Sequence, residues 1–289
     1  MKLIKKNNTK NNFLISLMFL LILLSLFFQK VESAEYKNEI ILTIEGDGIQ
    51  KILGESIRQN PSQIIINGYT QKTISYTYDL ENITNTIKIK WDTPLTSCKN
   101  MFLNLHNIIS IDFSNFDSSK VSDMSSMFYD GHKLESINFE NMNTSSLENM
   151  EYMFYDCQNL KYLDLSSFDT SLVSKMDFLF ASCLSLASIK LSSFNTKSVE
   201  RMNSMFKNDE SLIYLDLSSF DINNVETMDS MLYGCRTLVY INLISFVESP
   251  NLKMDNIFSY ELNALIFCID SNNSPKIFNF LHNKNLEND

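Results

Sequence analysis

One unit of 26 residues recurs along most of this chain, and it restricts the chain to a solenoid. Ile111-Asp112-Phe113, Ile137-Asn138-Phe139, Leu163-Asp164-Leu165, Ile189-Lys190-Leu191, Leu215-Asp216-Leu217 and Ile241-Asn242-Leu243 each open one copy. A unit this short cannot bury its own apolar face and must stack on copies of itself. A second segment keeps the same register, from Leu95, Cys98, Met101 and Phe102 through Val173, Met176, Leu179 and Phe180 to Val225, Met228, Met231 and Leu232. A weaker copy follows at Leu252, Met254, Ile257 and Phe258.

Two periodicities alternate within a unit. Leu163 and Leu165 point one way along a short strand with a polar residue between them. Val173, Met176, Leu179 and Phe180 fall at spacings that suit one stripe of a short helix. Strand plus helix in this length lies within the roughly 20–29-residue range of leucine-rich repeats. The expected fold is therefore an α/β solenoid, with a parallel sheet on one face and short helices on the other. At strand spacing the array is roughly 30 to 35 Å long. Between strand and helix, Phe116, Met142, Phe168, Phe194, Phe220 and Phe246 should form an internal ladder. Asp117, Asn143, Asp169, Asn195 and Asp221 follow it and should hydrogen-bond loop amides, since one carboxylate per turn supplies too few oxygens for calcium.

Four regions follow from these patterns. Residues 1–33 read as a secretory signal peptide, with Lys2, Lys5, Lys6 and Lys10 ahead of the apolar run Phe13 to Phe28 and small residues near Ser33. The alternative is a retained membrane anchor. Residues 34–92 form a β-rich N-terminal capping region with strand-like runs at 39–44, 63–67 and 86–91 and a short helix at 49–57. Residues 93–260 are the repeat array, and 261–289 a C-terminal cap and tail. Loss of the signal peptide, with its five lysines and one glutamate, takes the formal net charge from −10 to about −14. Such acidity disfavours nucleic acid as a partner.

Reactive constellations are missing from the sequence. No two of His106, His132 and His282 fall in a metal-ligand pair, and His132 reads as a solvated loop residue. No phosphate loop or nucleophile elbow occurs, so the chain is read as non-catalytic, with no metal or cofactor. Among the five cysteines, Cys157 and Cys183 occupy the same repeat position one turn apart. A disulfide between them is sterically conceivable, and the other reading makes both buried small hydrophobes. Sequons occur at Asn82, Asn143 and Asn272. The strand face offers the recognition candidates: Tyr162, Tyr214 and Tyr240, with Asp164, Lys190 and Asp216 beside them. Rigid amphipathic rings on a broad sheet suit binding of a protein or a glycan.

The Asp-x-Ser-x-Phe segment at 164–168, Val-x-x-Met-x-x-Leu-Phe at 173–180 and Cys183-x-x-Leu186 stand in one fixed register. In this combination the chain resembles the BspA-like leucine-rich repeat family, the 26-residue bacterial and mycoplasma surface-protein repeat that also occurs in protists. The resemblance spans residues 93–260 and departs from the family pattern at Met142, Asp209 and Val247 to Pro250. It implies a secreted or cell-surface protein engaged in adhesion or macromolecular recognition, and it implies no catalytic residue. The competing class is a structural surface or matrix protein that self-associates.

Overall fold

The computed structural model describes residues 38–258 and 265–287. The expected signal peptide at 1–33 lies outside the described residues, as do 259–264, where the array was expected to give way to its C-terminal tail. Among the described residues no helix is long and apolar enough to cross a membrane.

Six strands precede the repeats: β1 (Glu39–Glu45), β2 (Gly48–Lys51), β3 (Gln63–Ile66), β4 (Tyr69–Thr70), β5 (Thr77–Leu80) and β6 (Thr84–Lys90). Alternation in β1 buries Ile40, Leu42 and Ile44 on one face, matched by Ile87 and Ile89 of β6. The short helix expected at 49–57 is absent, and that segment begins instead with β2 paired antiparallel to β5. Seven strands follow in the repeats: β7 (Ile108–Asp112), β8 (Ser136–Asn138), β9 (Tyr162–Asp164), β10 (Ser188–Lys190), β11 (Tyr214–Asp216), β12 (Tyr240–Asn242) and β13 (Ile266–Cys268). Strand β1 runs antiparallel between β6 and β7, so the N-terminal sheet continues directly into the first repeat.

Repeat strands pair in parallel with an offset of one unit, as in Ser110↔Ser136, Leu163↔Ile189, Leu215↔Ile241 and Ile241↔Phe267. Strand pairing lapses between β8 and β9 and between β10 and β11, which fall in separate sheets, while the constant offset keeps equivalent residues in line along the array. Phe102, Phe128, Phe154, Phe180 and Phe206 stack at centroid spacings of 5.9, 5.3, 5.7 and 5.3 Å. The second ladder, Phe116 through Phe246, is buried at every position including Met142.

The face opposite the sheet differs from expectation, because among the described residues it contains no helices. Amides there alternate between two kinds of partner. Met176, Phe178, Phe180 and Ser182 donate to Arg201, Asn203, Met205 and Lys207 of the next coil, while Leu179, Ala181 and Cys183 close turns on Met176, Phe178 and Phe180. An α-helix would direct these amides within its own coil to the residue four back. Spacings of three and one between apolar residues arise equally from successive tight turns, so the pattern could not separate the two. Left-handed backbone recurs twice per coil, at Asn100 and Asn104, Ser126 and Asp130, Tyr152 and Asp156, Phe178 and Ser182, then Ser204 and Asn208. Parallel bridges link Ser97, Asp123, Asn149, Lys175, Arg201, Thr227 and Lys253 along this layer.

Loop polar groups are satisfied in the same repeating manner. Asp117, Asn143, Asp169, Asn195 and Asp221 each accept, through Oδ1, the amide two residues on. Buried Thr170 donates its hydroxyl to the Asn195 carbonyl (2.9 Å) and accepts the Asn195 amide (2.8 Å), tying adjacent coils. Ser118, Thr144 and Thr196 repeat that exchange.

Cys157, Cys183 and Cys235 are free, fully buried thiols, and each donates to a carbonyl of the preceding coil: Phe128, Phe154 and Phe206. No disulfide joins Cys157 to Cys183. Burial pushes all three thiols up, away from the thiolate. The C-terminal region carries one helix, α1 (Pro275–Glu287), which the repeat pattern did not foretell. Glu248 caps its start by accepting the Ile277 amide at 2.7 Å. Ile277 and Leu281 join the core, and Phe280 stacks on Phe258 at 5.5 Å, extending the line of the ring ladder.

Candidate functional site

The outer face of the solenoid sheet carries one row of residues set by the strand register: Ser110, Ser136, Tyr162, Ser188, Tyr214, Tyr240 and Ile266. From β8 to β13 each repeat strand has three residues, so its central residue turns toward the core and its two ends face out. Tyr214 and Tyr240 pair in register on β11 and β12, and their rings stack at 4.8 Å with planes 4° apart. Tyr214 is 53% exposed and Ile266, next in the row, 61%. Ile213 and Val239 are exposed beside them. The result is a rigid apolar and aromatic strip at the C-terminal end of the sheet.

Tyr162 has serines on both neighbouring strands and so lacks a ring partner. Its hydroxyl donates to Asp164 Oδ2 (3.0 Å), and Lys190 Nζ lies 5.7 Å from its ring centroid. Lys190 also donates to Asp164 Oδ2 at 2.8 Å. That bond, followed by those from Ser166, holds the Asp164 carboxyl well below the usual carboxylate range, and Asp164 in turn holds the Lys190 ammonium up. The three groups make one closed cluster on β9 and β10, with the cation neutralised. Asp216 stands apart on β11, its Oδ1 accepting the Ser218 amide. Between β10 and β11 lies an open groove of about 300 Å³, lined by Ile189, Lys190, Leu191, Asp216 and Ser219 among others. Asp164 and Asp216 thus also terminate their strands, as do Asp112, Asn138 and Asn242 in the other coils.

Sequence reasoning missed two features on the opposite layer. Tyr129 stacks on Tyr155 at 4.7 Å and Tyr152 on Phe178 at 4.8 Å, with Tyr152 and Phe178 in left-handed backbone at φ 58° and 55°. Such backbone is uncommon for bulky side chains. The second is a histidine pair. His132 is no free loop residue: its Nε2 bonds Asp156 Oδ2 at 2.9 Å, and its Nδ1 lies 3.2 Å from Nδ1 of His106. The signal was present, because 132 is 106 plus one repeat. The three sequon asparagines, Asn82, Asn143 and Asn272, are exposed.

The chain matches a family model described as "Mycoplasma protein of unknown function, DUF285" over residues 72–186 and again over 157–265. Among solved structures it is similar to the crystal structure of a leucine-rich repeat protein from Bacteroides ovatus ATCC 8483, at 16% identity and a TM-score of 0.27. That match covers 69% of this chain and 62% of the other, so the chain spans less than two thirds of that protein's length. No curated protein matches.

Proposed function

This chain belongs to the BspA-like 26-residue repeat family that the matching model represents, and we propose that it is a secreted or cell-surface recognition scaffold that binds a protein or a glycan through the outer face of its sheet. The observation that carries this reading is the stacked pair of exposed Tyr214 and half-buried Tyr240, flanked by exposed Ile213, Val239 and Ile266. Large apolar groups grouped on a rigid surface mark interaction sites, and Tyr supplies contact area at little entropic cost. The groove between β10 and β11 offers Asp216 for orienting a partner. In this reading β1 and α1 act as caps, each covering one end of the array. The chain acts without catalysis, since its recurrent polar residues are already committed to loop and coil hydrogen bonds.

The replacement Tyr162→Ser, Tyr214→Ser and Tyr240→Ser uses the residue that Ser110, Ser136 and Ser188 supply in sister coils, so the fold should tolerate it. Attachment to a glycan and surface-protein array should fall about 30-fold or more, the loss of one interface hot spot. Unchanged attachment would exclude this face. Sedimentation at rising concentration separates the self-assembly reading, which requires ordered association of the chain with itself.

A further inference from the structure

We propose that His106 and His132, supported by Asp130 and Asp156, form a surface site for a divalent transition-metal ion that bridges two adjacent coils. The two imidazoles come from the same position of successive repeats, and their centroids lie 4.7 Å apart. Their Nδ1 atoms approach to 3.2 Å. With neither proton nor metal between them, two nitrogen lone pairs at that distance repel. A distance of roughly 3.3 Å is, however, the edge spanned by two nitrogens bound to one tetrahedral ion at metal–nitrogen bonds near 2.0 Å. Each Nδ1 would give its lone pair to the ion, any proton held between the rings leaving to solvent, and water would fill the open positions.

The far side of each ring meets carboxylates, as metal-bound imidazoles usually require. His132 Nε2 contacts Asp130 Oδ1 and lies 2.9 Å from Asp156 Oδ2, while His106 Nε2 is 3.5 Å from Asp130 Oδ2. Both carboxylates serve as positioning groups: they fix ring orientation, leave the proton on Nε2 and free Nδ1 for the ion. Imidazole donors select Zn²⁺, Ni²⁺ or Cu²⁺ over hard cations such as Mg²⁺. In the neighbouring coils the histidine position holds Gln158 and Leu184, so the site occurs once in the array.

Titration calorimetry of the folded chain with Zn²⁺ and with Ni²⁺ should show saturable one-to-one binding, and Mg²⁺ should show none. His106→Ala and His132→Ala should each weaken Zn²⁺ at least about tenfold, while His282→Ala should bind like the unaltered chain. Asp130→Asn keeps the left-handed backbone that Asn104 and Asn208 adopt at the same repeat position. It should weaken the metal about 10- to 100-fold, the effect of losing a carboxylate behind a ligand. A thermal melt provides the second readout: Zn²⁺ should raise the midpoint of the unaltered chain and of His282→Ala, but not that of His132→Ala. Absence of saturable binding, or equal binding by the His106→Ala/His132→Ala double variant, overturns the proposal.

Discussion

Phe180→Ala is expected to destabilise the solenoid by about 3–5 kcal/mol, the upper range for truncating a buried aromatic. Phe180 is fully buried and lies mid-ladder, stacked on Phe154 and Phe206 at 5.7 and 5.3 Å. The surroundings cannot close over the cavity, because the coils on either side are pinned to one another. The Phe180 amide itself donates to Met205 in the next coil at 2.9 Å. A repeat array is held by nearest-neighbour contacts, so a defect at its centre also uncouples the two halves. Urea denaturation should show both a lower midpoint and a broader or two-step transition. A loss below about 1 kcal/mol would mean that the coils relax around the gap, contrary to this packing.

Asp209→Cys is expected to stabilise the chain by about 1–3 kcal/mol near neutral pH, the usual cost of an unsatisfied buried polar group. Asp209 occupies the position that holds Cys157, Cys183 and Cys235 in other coils, and it is fully buried. Its Oδ1 accepts the Cys183 amide at 2.9 Å, but its Oδ2 has no partner. Burial pushes its carboxyl well above the ordinary range, and the Cys183 amide only partly offsets this. Below about pH 4 the group is protonated in both folded and unfolded chains. As pH rises past that value the unfolded chain ionises first, so stability is lost progressively until the folded carboxyl also titrates. The gain from Asp209→Cys should therefore be larger at pH 7 than at pH 4.5 in urea denaturation. An equal gain at both pH values would show that the carboxyl titrates alike in the two states.

Much of this architecture is legible in one sequence because a solenoid writes its contacts at a single separation. The strands, the buried ladder from Phe116 through Met142 to Phe246 and the Asx bonds from Asp117 to Asp221 all follow from 26-residue spacing and side-chain chemistry. The opposite layer was misread for a physical reason: Val173, Met176, Leu179 and Phe180 satisfy both a helical stripe and a string of turns. What separates the two is where alternate amides find partners, and that depends on the next coil. Asn100, Asn104 and Asn208 are residues that tolerate left-handed backbone and hinted at turns, whereas Tyr152 and Phe178 gave no such hint.

The candidate site divides along similar lines. Tyr162, Tyr214 and Tyr240 were visible from their register alone. Whether a ring would stack or bend to a carboxylate depended on the neighbouring strand, tyrosine for Tyr214 and serine and lysine for Tyr162. Ile213, Val239 and Ile266 are apolar yet exposed, because their positions lie outside the inward-facing register. The histidine pair escaped notice because metal-ligand motifs are sought at short spacing, while a solenoid makes residues one full repeat apart into neighbours.

The most direct measurement of the recognition account is covalent tyrosine footprinting of the chain while it is held by a retaining protein or glycan surface. The sheet-face account predicts that Tyr162, Tyr214 and Tyr240 lose reactivity on attachment, while Tyr129, Tyr152 and Tyr155 on the opposite layer keep theirs. Protection confined to Tyr129, Tyr152 and Tyr155, with the sheet-face rings still reactive, would contradict it.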